Sequence, residues 1–136
     1  MPAETKQISL RWQEGLRFTG GEADGPSTTI DGDNVAAPGP MLTLLLAAAS
    51  CTGSDVVVIL QKMRVPFQDL RIDVAGVRRE SEPRRYLSIH LDYRLAGPGI
   101  DQVKVRRAID LSLEKYCSVM HSLAPDIAIT YALSLA

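Results

Sequence analysis

The sequence predicts a single α+β domain over residues 1–136, in the order β-β-β-α-β-β-α-α-β. Three observations predict it. Segments of alternating apolar and polar residues occupy both ends and the middle of the chain. One long apolar stretch of helical length separates the first strands from the later ones. Gly, Pro and Asp clusters punctuate the junctions, and no internal repeat or long linker divides the chain.

The elements follow in order. Gln7 to Trp12 alternates Ile8, Leu10 and Trp12 with Ser9 and Arg11, the spacing of a half-buried strand in which Trp12 is a core anchor. Glu14-Gly15 signals a turn, and Leu16 to Thr19 returns as the second strand of a hairpin. Ser27 to Ile30 is a third strand, closed by Asp31-Gly32-Asp33-Asn34. Pro40 suits the first turn of a helix over Met41 to Arg64, apolar on almost every face through its first half and ended by Pro66. Gln68 to Arg79 and Arg84 to Leu95 are two long strands joined at Glu82-Pro83. In the second, Tyr86, Ser88, His90, Asp92 and Arg94 face one way, and Leu87, Ile89, Leu91, Tyr93 and Leu95 the other. Asp101 is a helix N-cap, after which Val105, Ala108, Ile109, Ser112 and Tyr116 line one face. Ser118 caps a short further turn ending at Pro125, and Ile127 to Leu135 makes the last strand.

Composition narrows the function classes. At 46% hydrophobic and 23% charged residues the chain is ordinary globular material. Fifteen basic against 16 acidic residues, with no basic block, give no electrostatic reason for a nucleic acid or an anionic membrane as partner. The N-terminus lacks the charged-then-apolar layout of a signal peptide. The longest apolar run, Met41 to Ala49, is interrupted by Thr43 and too short to span a bilayer. A cytoplasmic location is therefore expected, where thiols are kept reduced and a transient catalytic disulfide is more plausible than a structural one.

Polar residues in the apolar helix stand out. At about 100° per residue, Thr43, Ser50, Cys51, Ser54 and Asp55 share a stripe with Ala47. They either bond within the helix or meet a partner; a carboxylate such as Asp55 needs one or the other. Gly53 in mid-helix implies close packing against another backbone. Cys117 lies at the junction of two helical segments, where a nearby helix N-terminus lowers a thiol pKa; Lys115 either adds positive charge or points to solvent. His121, one turn beyond, and His90, among polar strand neighbours, read as structural. The two cysteines and His121 lack the short paired spacing of a zinc site. By spacing alone, Cys51 and Cys117 read as separate core residues, and a redox pair is the minority reading.

Two segments carry a resemblance. The run from Pro40 through the Leu44-Leu45-Leu46-Ala47-Ala48-Ala49-Ser50-Cys51 stretch to Thr52 is similar to the proline-led, cysteine-bearing helix of OsmC-like proteins, and Asp55 to Arg64 continues the match. Arg107 to Val119 looks like the segment with that family's second cysteine. On these segments and the element order around them, the chain resembles the OsmC/Ohr superfamily. The resemblance implies a long buried central helix and an intertwined homodimer with active sites at the subunit interface. It also implies a thiol peroxidase of oxidative-stress defence that needs no metal, flavin or other cofactor. Cys51, as thiolate, attacks the O–O bond of an organic hydroperoxide and becomes a sulfenic acid. Cys117 condenses with it to a disulfide, and an external dithiol reduces that disulfide. The two segments must then pack within disulfide reach.

The sequence departs from the family pattern at the acidic residue behind the leading proline, where Met41, Leu42 and Thr43 stand. Glu114 or Asp55 are the substitutes to consider. For the arginine that the family brings from its early strands to support the thiolate, Arg17 is the candidate and Arg11 the poorer one. The missing acidic residue motivates one alternative, a fold retained to bind an apolar small molecule at the dimer interface; a third reading is a structural dimer whose cysteines are merely buried.

Overall fold

In a computed structural model describing residues 2–136, the chain runs β1 (Ser9–Glu14), β2 (Arg17–Gly21), β3 (Ser27–Asp31), α1 (Pro40–Lys62), β4 (Asp69–Arg78), β5 (Tyr86–Ala96), α2 (Gln102–Leu111), a π-helical turn (Ser112–Tyr116), α3 (Ser118–Ser122) and β6 (Ala128–Leu135). The order is the expected one, with the π-turn added between the last two helices. Contacts divide the chain into two units, the first extending through Leu44 and the second spanning Leu45–Ala136.

The first unit holds an antiparallel sheet of order β1-β2-β3. Gly15, at φ +52, makes the turn between β1 and β2 without a Cβ penalty. Every residue of β1 is exposed. Trp12 is therefore not a core anchor: it is 65% exposed, and its indole Nε1 donates to the Gly15 carbonyl at 2.8 Å. After β3, the loop to α1 is organised by one carboxylate. Asp31 is buried and accepts from the backbone N–H groups of Asp33 (2.9 Å), Val35 (3.3 Å) and Ala36 (2.9 Å). These amides hold the Asp31 carboxyl below its ordinary pKa, Ala36 contributing most, with the Arg17 guanidinium adding to the effect.

Helix α1 is buried along one stripe rather than on almost every face. Leu45, Ala48, Thr52, Val56 and Leu60 recur every three or four residues and enter the core of the second unit. Leu46 and Val58, on other faces, are 56% and 47% exposed. At 23 residues, with a mean hydropathy of 1.8 over an 18-residue stretch, α1 is also long and apolar enough for a membrane span, which the shorter apolar run did not suggest. Its packed stripe, with Thr52 and Asp55 hydrogen-bonded to later elements, makes it the core helix of the unit instead.

The second unit's sheet has the order β4-β5-β6. β4 and β5 are antiparallel; β5 and β6 are parallel, so α2, the π-turn and α3 form the crossover that a parallel pair requires. Ile89, Leu91, Tyr93 and Leu95 of the central strand are buried. The alternation breaks at the start of β5. Val77 pairs with Ser88 but Arg78 pairs with Tyr86, leaving Leu87 as an extra residue. This bulge turns Tyr86 into the core at 4% exposure and Leu87 outward at 44%, the reverse of the sequence expectation. Gly76 makes room for the turned ring: a Cβ there would lie 2.5 Å from Tyr86 Cε1 and 3.2 Å from Leu45 Cδ2. Asp101 caps α2 as expected, accepting from the Lys104 amide at 3.2 Å. The cap position of α3 belongs to Cys117 rather than Ser118, because Cys117 leaves helical geometry at ψ 99.

Two outcomes follow. Replacing a strand glycine by alanine usually helps, but Gly76→Ala drives a methyl into the buried Tyr86 ring; urea denaturation should show a loss of about 1–3 kcal/mol. The Asp31 carboxyl has a folded-state pKa below its unfolded value near 3.8, so its contribution is full above that pH and fades as pH falls through the lowered value. Asp31→Asn should lower the urea midpoint at pH 7, and the gap to wild type should close on acidification. A gap independent of pH would mean the charge is not what organises the loop.

Candidate active site

The site is built where the packed stripe of α1 meets the crossover. Thr52, fully buried, places Oγ1 2.8 Å from the Tyr93 hydroxyl on β5 and 2.7 Å from Ser112 Oγ at the start of the π-turn. Ser112, also fully buried, donates to Asp55 Oδ2 at 2.9 Å. A carboxylate only accepts, so the single Ser112 hydroxyl hydrogen goes to Asp55. Ser112 must then accept from Thr52, and Thr52 from Tyr93. The direction of the whole chain, Tyr93 to Thr52 to Ser112 to Asp55, is set by its terminal charge.

The same serine positions the second cysteine. The Cys117 N–H donates to the Ser112 carbonyl at 2.8 Å, the five-residue closure of a π-turn. With Ser112 tied to α1, that turn delivers Cys117 beside Cys51, one residue before Thr52. The two free thiols adjoin, as the expected redox pair requires. Their surroundings differ. Cys51 is partly exposed on the edge of α1, whereas Cys117 is fully buried. Burial pushes the Cys117 thiol up to about 11; the Met120 backbone amide opposes this, and the adjoining Cys51 and the Asp55 carboxylate reinforce it. The expected lowering by a helix N-terminus is thus overturned: α3 is a single short turn, and loss of solvent outweighs its amide. Lys115 lies over the exposed Tyr116 ring at 5.2 Å. Burial likewise raises the Tyr93 phenol to about 12, with the Cys117 and Asp55 groups adding to it.

The other sequence candidates lie elsewhere. Glu114 is exposed on the π-turn and lines a cavity of about 490 Å³ with Asp110, Met120, His121, Ile129 and Tyr131. It is Asp55, not Glu114, that is hydrogen-bonded into the network at the thiols. Arg17 belongs to the first unit; its Nη1 pairs with Glu14 Oε1 at 3.3 Å, and its Nε is buried without a hydrogen-bond partner among the described residues. Arg11 is exposed on β1. His121 Nε2 lies 3.2 Å from the Leu113 carbonyl, and His90 Nδ1 lies 2.7 Å from Thr130 Oγ1 across β5 and β6. On α1, Thr43 and Ser54 bond back to the carbonyls of Gly39 and Ser50, both at 2.8 Å. Gly53 packs against a side chain rather than a backbone: a Cβ there would meet Ile72 Cδ1 at 3.2 Å. Thr52, Tyr93 and Ser112 were not singled out from sequence. Their signal was present, since each is a hydroxyl on an otherwise apolar face.

Comparison with known proteins agrees with this architecture. The family model described as OsmC-like protein matches residues 31–132. Protein YhfA of Escherichia coli (strain K12) is 40% identical over 127 residues, covering 93% of this chain and 95% of YhfA. The crystal structure of a hypothetical protein from Aquifex aeolicus VF5 superposes with a TM-score of 0.84 at 30% identity, over 98% of this chain and 99% of that one. An organic hydroperoxide resistance protein, OsmC, from Legionella pneumophila shares the fold at a TM-score of 0.71 and 12% identity, over 98% and 99% of the two chains. On the matched family model, which spans both cysteine segments, the chain belongs to the OsmC-like proteins.

Proposed function

We propose that this protein is a thiol-dependent peroxidase that reduces organic hydroperoxides to alcohols in the cytoplasm as part of oxidative-stress defence. The observation that carries the reading is a partly exposed Cys51 adjoining a fully buried Cys117. The Cys51 thiolate attacks the terminal peroxide oxygen, the O–O bond breaks, and the leaving alkoxide takes a proton to become the alcohol. Cys51 is then a sulfenic acid. Cys117 displaces its hydroxyl, forming the disulfide and releasing water, and an external dithiol returns both thiols. Arg17 is proposed to support the thiolate, on the resemblance, and Glu114 to orient it in place of the acidic residue absent behind Pro40. The hydroperoxide resistance protein of similar fold supports the substrate class.

The active form is proposed to be a homodimer. Ile8, Leu10 and Trp12 of the first unit and Leu46 and Val58 of the second are large apolar side chains left exposed by one chain. A second reading, a fold retained to bind an apolar molecule, is favoured by an open groove of about 620 Å³ along α1 and β4, lined by Leu46, Ala49, Val57, Leu70 and Ile72 among others.

One equivalent of cumene hydroperoxide added to the reduced protein should form a Cys51–Cys117 disulfide, seen by intact mass and peptide mapping. Cys51→Ser should abolish turnover, and Cys117→Ser should stop at a sulfenic acid trappable by dimedone. Intact thiols in a folded protein, with an apolar molecule retained in native mass spectrometry, would transfer the assignment to the binding reading. For the dimer, sedimentation should give twice the chain mass, and the melting temperature should rise with protein concentration. A monomer with a concentration-independent melt would refute it.

A further inference from the structure

We infer that His121 is a positioning residue that holds Cys117 beside Cys51: its imidazole occupies the carbonyl that an ordinary α-helix would give to the Cys117 amide. The purpose of this clamp rests on the disulfide chemistry proposed above, but its readouts need no hydroperoxide.

Three observations carry it. The Cys117 amide donates to the Ser112 carbonyl at 2.8 Å, whereas an α-helical register would send it one residue less far back, to Leu113. The Leu113 carbonyl takes the His121 ring instead, with Nε2 at 3.2 Å. A carbonyl only accepts, so Nε2 carries the proton of this bond. The His121 amide in turn donates to the Cys117 carbonyl at 3.1 Å. One residue therefore brackets Cys117, with its main chain on the Cys117 carbonyl and its side chain on the acceptor that the Cys117 amide would otherwise take.

Moving to the α-helical register would turn Cys117 by about 100° about the helix axis and carry its sulfur off the side that adjoins Cys51. From the core, Ser112 opposes that move through its bonds to Thr52 and Asp55. Those bonds fix Ser112 but leave the Leu113 carbonyl able to compete for the amide. His121, exposed on α3, closes that alternative from the solvent side. The buried serine and the exposed histidine thus hold the same turn from opposite faces.

The test uses the full chain with Cys51→Ser, in which iodoacetamide reaches the buried Cys117 only when the turn opens. His121→Leu removes the donor at an exposed position while keeping an apolar side chain there. It should speed alkylation of Cys117, read by intact mass, by about 3- to 10-fold. His121→Gln keeps a side-chain N–H and should return the rate to near that of the parent, a rescue that a space-filling role would not show. With both cysteines present, exchange with oxidised dithiothreitol gives the protein disulfide and reduced dithiothreitol, and His121→Leu should lower that equilibrium constant by a similar factor. The faster alkylation should depend little on dilute urea, as local opening does. Unchanged alkylation and exchange in folded His121→Leu, or His121→Gln behaving as His121→Leu, overturns the inference. So does an acceleration that climbs steeply with dilute urea, the mark of global unfolding. Failure of hydroperoxide to form the disulfide, with the His121→Leu effects present, would remove the peroxidase reading and leave the clamp standing.

Discussion

The arrangement around the thiols depends on Ser112. Its hydroxyl links α1 to the crossover through Thr52 and Asp55, and its carbonyl closes the π-turn that carries Cys117. A buried hydroxyl left without a partner costs about 1–3 kcal/mol, so three of them at one place would be a heavy burden on a small core. Here each finds a partner because the chain of donors terminates on a carboxylate that accepts without needing to donate. The polar content of the core thus specifies register: α1 can slide or rotate against the crossover only by breaking several of these bonds together. Apolar packing of Ala48, Val56, Val105 and Ile109 supplies cohesion without that selectivity.

That register gives two chemically similar side chains different properties. Cys51 and Cys117 adjoin, yet one lies at the edge of the packed stripe and the other at zero exposure. The π-turn is responsible for the second. An ordinary α-helical continuation from α2 would rotate Cys117 by a different angle about the helix axis. The added residue of the five-residue closure, followed by the extended ψ of Cys117, turns its sulfur toward α1 instead. Burial then dominates its ionisation over the nearby Met120 amide.

Much of the fold was legible in the sequence. Alternation in β4 and β5, Pro40 ahead of a long apolar run, and Asp101 before an amphipathic segment all express short-range preferences that tertiary packing leaves intact. The cysteine segments were legible through resemblance, and their adjacency is seen in the structure. What was not legible depended on longer-range facts. The Leu87 bulge that exchanges the faces of Tyr86 and Leu87 is invisible to a period-two reading, because the reason for it, the space above Gly76, is on another strand. The π-turn has no composition of its own: Ser-Leu-Glu-Lys-Tyr continues an α-helix as readily. Thr52 and Ser112 looked like ordinary small polar residues until each was found to answer the other across 60 positions of sequence.

The half-exposed state of α1 bears on the site as well. An apolar helix with one packed stripe offers a second stripe at Leu46 and Val58 to water or to another surface. Cys51 is partly exposed beside that open side, whereas Cys117 is sealed by elements of its own unit. Whatever covers the open side of α1 therefore changes the solvent and charges around Cys51 and leaves those around Cys117 nearly as they are. The chain alone seals Cys117, and the surroundings of Cys51 are the part open to change by association.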